Sequence, residues 1–422
     1  MKGLLKRIYT KEYLLFLVIG FLPLIYKVFQ IAFLNSFENA IKILGQMAII
    51  EIIFKIFQET IINPLFKILG KNDNAEEAKN CFARKLLVVY SAICLAFTLA
   101  IFLLVEPIIN ISQIPAEIFV STKLFLQIMI FVYGINVIVQ YLYTFNIISK
   151  NTKNIFVYFL ISSLATLILG IVLIPKFAFG LGVIGLAISM LIVKVAQLVY
   201  FIFTLPKVVN KENKRFEMGK YLKLCLLSFF ETLTRNLTYY FIVLVLLNTL
   251  NNQDLYFIAN DFIWSLMLIP TLAQNNLIKQ NVSQNNNESL RDYLLNGVLI
   301  SIFICFMIPV AFVLFKYVYR FTNYLDYFLT LLKLMPCYFI FIFDNVIESY
   351  FIAVGKMQYV FIQTFITNII VYFTSYILFV CGVWVVTLNG IILVFSAGMI
   401  LSSAYTIGCY IYQKKKIKKN NI

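Results

Sequence analysis

The amino-acid sequence predicts an all-α polytopic membrane protein, with about twelve transmembrane helices in two six-helix lobes related by pseudo-twofold symmetry. Three observations carry this. Of 422 residues, 62% are hydrophobic and only 13% charged, with a mean hydropathy of +0.90. The apolar residues run continuously over stretches that match the roughly 20 residues a helix needs to cross a hydrocarbon core of about 30 Å. The basic residues collect in alternate loops, which is how cytoplasmic loops are marked.

Each observation excludes an alternative. A soluble domain is about half apolar and about a quarter charged, so no soluble fold hides this much apolar surface. A transmembrane barrel alternates polar and apolar residues over about ten positions, and no such alternation appears here. The net charge of +16 sits in short loops and at the ends rather than on one basic face, so it sets topology and does not mark a nucleic-acid partner. Seven cysteines (Cys81, Cys94, Cys225, Cys305, Cys337, Cys381 and Cys409) are scattered singly, which excludes a disulfide framework or zinc motif. Histidine is absent, so proton or cation chemistry falls to carboxylates, Lys, Tyr and backbone oxygens.

The basic start, Met1 to Lys11, has no small-residue cleavage site after it and reads as the cytoplasmic lead into the first helix. The apolar runs predict helices over 13–34, 40–69, 85–109, 116–148, 154–174, 180–205, 219–250, 253–278, 290–318, 324–354, 360–380 and 385–412. Sorting the loop charges places both termini in the cytoplasm and makes the number of spans even. The most polar connector, 206–218, separates an N-terminal lobe (1–205) from a C-terminal lobe (219–422) that ends in a basic cytoplasmic tail. Ser149-Lys150 before helix 5 is similar to Gly355-Lys356 before helix 11, and Gly185 to Met190 echoes Gly390 to Met399. Two parallel repeats, a transporter arrangement, fit these echoes.

Ionisable residues inside spans are the functional pointers, because each costs about 2.5–3.5 kcal/mol at a helix centre. Helix 2 carries Glu51, Lys55 and Glu59 at successive turns of one face, and Lys27, Lys123 and Lys194 lie in helices 1, 4 and 6. These are either internal ion pairs holding the first lobe together or the lining of a charged cavity. In the second lobe Glu231 and Arg235 sit one turn apart in helix 7, followed by Asn236. Asp261 lies in helix 8, and Asp344, Asn345 and Glu348 in helix 10. The acidic groups either form a neutralised pair plus interfacial carboxylates or converge on one polar site for a proton or Na⁺. Pro23 and Pro270 are candidate functional bends, since charged residues lie within a few turns of each.

The assembled segments resemble the multidrug and toxic compound extrusion (MATE) family, within the multidrug/oligosaccharidyl-lipid/polysaccharide (MOP) exporter superfamily. Helix 7 reads Ser228-Phe-Phe-Glu-Thr-Leu-Thr-Arg-Asn236, and helix 8 contains a segment from Ile258 that closes on Leu268-Ile-Pro270. Helix 10 carries the segment Phe343-Asp to Gly355-Lys356, and the Gly-rich stretch Gly180-Leu-Gly-Val-Ile-Gly-Leu-Ala187 opens helix 6. The resemblance covers nearly the whole chain and is most specific in the second lobe. It implies a secondary exporter whose two lobes rock between inward-open and outward-open states. By this resemblance Glu231 and Asp344 would take the places of the family's cation-coupling carboxylates, with Arg235, Asn236, Asp261, Asn345 and Glu348 expected as the supporting polar site. The family's first helix carries an Asp near its outer end; here Leu34-Asn-Ser-Phe-Glu-Asn39 holds none, and Glu38 is the nearest carboxylate. Lys27, Glu38, Glu51, Lys55 and Glu59 are thus the first-lobe cavity candidates.

The leading expectation is a cation-coupled (Na⁺ or H⁺) exporter of amphipathic small molecules, acting as a monomer in a bacterial plasma (inner) membrane. No cofactor beyond the coupling ion and no metal is expected. The alternative is a flippase for a lipid-linked oligosaccharide or polysaccharide precursor, with Lys27, Lys55, Lys123 and Lys194 attracting a pyrophosphate. An enzyme is not expected, since the chain has no His, no metal cluster and no nucleotide-binding Gly-rich loop with Lys.

Overall fold

The computed structural model describes residues 10–34, 36–37, 39–70, 76–111, 114, 116–149, 151–204, 218–238, 245–248, 250, 252–284 and 290–420. The connector at 206–217 and Glu38 lie outside these residues, as does the side chain of Pro23.

Among the described residues every long element is helical, and twelve long segments follow one another in the expected order. They are α1 (Lys11–Leu34), α2 (Met47–Gly70), α3 (Glu76–Leu103), α4 (Phe119–Ile148), α5 (Thr152–Leu173) and α6 (Gly182–Thr204). The second half has α7 (Met218–Thr238), α8 (Asp254–Met267 and Ile269–Gln284), α9 (Leu290–Val318), α10 (Tyr324–Ala353), α11 (Met357–Val380) and α12 (Leu388–Asn420). Eight of these are long and apolar enough to cross a membrane, and the bent pair of α8 makes a ninth. The more charged α2 and α7 and the 24-residue α1 complete the set. The chain is a multi-pass membrane protein.

Some boundaries differ from the periodicity. The apolar run from 40 breaks at Gln46, so a short helix, Ala40–Gly45, precedes α2. The third helix starts earlier than expected, at Glu76, and a short helix, Val105–Ile111, follows it. Of the run expected to reach 250, Met218–Thr238 and Val245–Asn248 are helical, and 239–244 lie outside the described residues. Apolar continuity hides the break at Gln46, because each flank is as hydrophobic as the helix itself.

The chain gathers into two compact units, Phe21–Leu222 and Met1–Gly20 with Lys223–Ile422. In the first, the 30-residue α4 is central and packs on α2, α3 and α6. In the second, α10, also 30 residues, takes the same part against α8, α9, α11 and α12. The first half of α1 belongs to the second unit for a local reason. Tyr13 OH donates to the Pro270 carbonyl at 3.4 Å, and Gly20 lies flat against Ile269.

Close approach depends on glycine at several places, Gly185 and Gly134 among them. At Gly185 a Cβ would sit 2.5 Å from the Leu173 carbonyl oxygen, which is backbone and cannot step aside. At Gly134 it would meet Thr98 Oγ1 at 2.4 Å, so α3 and α4 touch there.

The bend in α8 also has a visible cause. Residues Ile263–Met267 form a π-turn, Leu268 N–H reaches back to Ile263 O at 3.0 Å, and the axis then turns by 52°. The helix restarts at Ile269 with Pro270 in its first turn, where the missing N–H removes no intrahelical bond. The core of this unit collects around the bend, with Phe262, Ile263, Met267, Phe315, Leu334 and Tyr338 buried together.

Gly185→Ala is expected to destabilise the protein by about 1–3 kcal/mol, the usual range for overpacking. Gly408→Ala, where nothing lies within 4 Å, should leave stability unchanged or raise it slightly. Thermal melting of both variants in detergent checks the contrast.

Candidate functional site

The site is built from four helices of one unit. On α7, Glu231 is buried, and its Oε1 accepts from Arg235 Nε at 3.0 Å, one helical turn away. Thr232 Oγ1 lies 3.1 Å from Glu231 Oε2 and 2.7 Å from the Ser228 carbonyl, so its single proton is shared between two acceptors. From α11, Thr364 Oγ1 donates to Oε1 at 3.3 Å. Asn236 is buried one turn on and caps the Thr232 carbonyl through Nδ2 at 2.7 Å. Oε1 of Glu231 thus has two donors, Arg235 and Thr364, while Oε2 shares one hydroxyl proton with the Ser228 carbonyl.

Asp344 faces the same region from α10 and is also buried. Ser402 of α12 donates to its Oδ2 at 2.8 Å, and Gln363 of α11 donates through Nε2 to the Ser402 hydroxyl. Glu348, one turn beyond Asp344, lies within electrostatic reach of Asp344, Arg235 and Glu231 and beside Gln363. Three carboxylates and one guanidinium thus share a polar interior among helices that are otherwise apolar. Taking an ion out of water costs several kcal/mol even after relaxation, so such a cluster persists only where donors compensate it.

The remaining expected residues lie elsewhere. Asn345 points to the other side of α10, where its Oδ1 accepts from Asn275 of α8 at 2.9 Å and its Nδ2 reaches the Phe341 carbonyl at 3.3 Å. Asp261 is exposed on the first part of α8, beside Tyr319. Tyr319 precedes α10, whereas Asp344 lies two thirds of the way along it, so Asp261 stands well apart from the cluster. Pro270 sits at the 52° bend.

In the other unit, Glu51 is exposed and accepts from Tyr133 OH at 3.3 Å. Lys55 and Glu59 follow at successive turns of α2, half-buried, as is Lys27 in α1. Lys123 pairs with Glu106 at 2.6 Å, which occupies one of the four lysines a pyrophosphate reading needs.

Reading charges alone misses Gln363, Thr364 and Ser402. Gln363, Thr364, Thr367 and Asn368 are buried one turn apart on α11, a polar stripe in an apolar span. That spacing was a usable signal in the sequence, since polar side chains in a span are placed for partners.

Neither a family model nor a curated protein matches this sequence. Solved structures do. A mutant of the Vibrio cholerae MATE transporter VcmN superposes with a TM-score of 0.73 at 13% identity, covering 99% of this chain and 98% of that one. A MOP superfamily transporter from Pyrococcus furiosus, described by a binding pocket of reverse polarity, gives 0.73 at 14%, covering 97% and 96%. An outward-facing multidrug resistance MATE family transporter gives 0.72 at 15%, again covering 97% and 96%. At these identities the likeness shows the fold, and this chain has the fold of the MATE transporters of the MOP superfamily.

Arg235→Met should leave buried Glu231 without its guanidinium and destabilise the protein by roughly 1–3 kcal/mol. That is below the value for a fully enclosed pair, because the Arg235 side chain is 47% exposed. The double variant Glu231→Gln/Arg235→Met should recover most of the loss. A double-mutant cycle on melting temperatures checks this.

Proposed function

With that fold as premise, we propose that the chain is a cation-coupled secondary exporter of amphipathic small molecules working by alternating access. The observation that carries this reading is the pair of buried carboxylates, Glu231 and Asp344, joined through neighbouring residues of α11. An acidic group in a span is kept for ion or proton movement far more readily than for stability. Glu231 and Asp344 bind the coupling ion, Na⁺ or H⁺. Arg235, Asn236 and Glu348 set the local charge and hold the side chains in place. Ion binding favours one state of the carrier and substrate binding the other, and each shifts the equilibrium only by its differential affinity. The chain works as a monomer in a bacterial inner membrane with both ends in the cytoplasm, and its task is translocation rather than a chemical reaction.

Gradient-driven efflux of a fluorescent lipophilic cation from proteoliposomes tests the proposal. Glu231→Gln and Asp344→Asn should each reduce it at least tenfold, while size-exclusion profiles stay those of the wild type. Full efflux by both variants contradicts the reading.

A further inference from the structure

Among the described residues α12 is the longest helix, at 33 residues. At about 1.5 Å per residue it measures about 50 Å, well beyond a hydrocarbon core of about 30 Å. Its apolar part runs out at Ile411 and Tyr412, and the sequence then reads Gln413-Lys-Lys-Lys-Ile-Lys-Lys419. From Leu388 onward there is no Asp or Glu, so the five lysines are not neutralised within their own helix. Tyr412 is 60% exposed just before them. An exposed tyrosine closing an apolar span marks the level of the lipid headgroups, so the lysines begin there.

One side of this segment is tied to its own unit. Tyr410 packs edge-on against Tyr350 of α10, ring centroids 6.2 Å apart. Lys356, in the turn between α10 and α11, donates through Nζ to Gln413 Oε1. Helical register puts positions 410 and 413 on one stripe, and positions 414, 415, 416, 418 and 419 on the opposite arc of about 200°. Lys414 and Lys415 are exposed, and neither has an ion pair among the described residues. Like charges three and four residues apart repel one another, yet α12 stays helical through Asn420. The helix dipole offsets part of that repulsion in the last turn. A surface of opposite charge offsets more.

The neighbouring elements add to the same sign. Six helices crossing in turn bring the starts of α7, α9 and α11 to the end of the unit where α12 carries its lysines. Lys223 and Arg291 are exposed there, on α7 and in the first turn of α9. Asp292 is the one carboxylate in the terminal turns at this end among the described residues. A helix emerging from a bilayer sets such charges among lipid headgroups, so the partner at hand is the membrane itself. Lysines are compact point charges without the bidentate fork of arginine. They read the density of negative charge rather than the shape of one headgroup, as basic segments beside a span do.

We propose that positions 414–419 of α12, together with Lys223, form a docking surface for the headgroups of anionic phospholipids, which hold this part of α12 beside the turn between α10 and α11. The inference goes beyond the exporter reading and does not depend on it.

Competition between spin-labelled phosphatidylglycerol and spin-labelled phosphatidylcholine tests it, with the full chain in phosphatidylcholine vesicles and electron paramagnetic resonance reading the two associations. Wild type should prefer phosphatidylglycerol by about threefold or more at low salt, since several lysines share the contact. The preference should fall close to one in about 0.5 M salt, which needs no substitution. Changing Lys414, Lys415, Lys416, Lys418 and Lys419 together to Gln should remove most of it at low salt. The same five Lys→Arg changes should keep it. Equal association of the two lipids with wild type overturns the inference, and so does a preference that survives the five Lys→Gln changes. Salt-sensitive binding of labelled polyglutamate or an oligonucleotide by wild type that shows no lipid preference assigns the patch to a soluble polyanion and overturns it as well.

Discussion

A carboxylate inside an apolar bundle must be compensated, and in this chain the compensation runs through one turn of α11. Thr364 reaches Glu231 on α7. Its neighbour Gln363 reaches Ser402 on α12, and through it Asp344 on α10. Two adjacent residues on a helix point about 100° apart, so one turn serves two partners on different helices. The desolvation of three carboxylates is shared among Arg235, two threonines, a serine and a glutamine. Apolar packing of the surrounding helices has to hold those donors in register.

The scaffold supplies that register. The 30-residue α10 runs through the middle of its unit with α8, α9, α11 and α12 around it. Its faces are sorted by partner: Asp344 looks to α12, while Asn345 looks to Asn275 on α8. Three π-turns occur among the described residues of this unit. One precedes the bend of α8 at Ile263–Met267, another ends α9 at Leu314–Val318, and a third, Asn368–Phe373, follows directly on the polar turn of α11. A π-turn inserts one residue and rotates the helix after it, which lets a polar face stop without forcing the next apolar face out of phase.

Much of the fold was legible from the sequence because bilayer crossing imposes a length and a composition that few soluble helices meet. The ends were less legible where apolar residues run across a break, as at Gln46. Within the site, Glu231, Arg235, Asp344 and Glu348 stood out because charge in a span is rare. Their partners did not, because a serine or threonine in a span most often bonds its own helix, as Thr60, Thr98 and Thr166 do. Only the structure separates Ser402, which bonds Asp344, from Ser375, which bonds the Val371 carbonyl. Asp261 shows the converse: a charge in the same apolar half of the sequence that geometry sets apart from the others.

In the proposed exporter, ion movement through the second-unit carboxylates is tied to substrate movement. The most direct measurement imposes a substrate gradient alone on proteoliposomes and follows the internal ion with pH- and Na⁺-sensitive dyes. Substrate moving in one direction should drive the coupling ion in the other, with the response absent from Asp344→Asn vesicles. Substrate movement with no ion movement, or equal ion movement in Asp344→Asn, would contradict it.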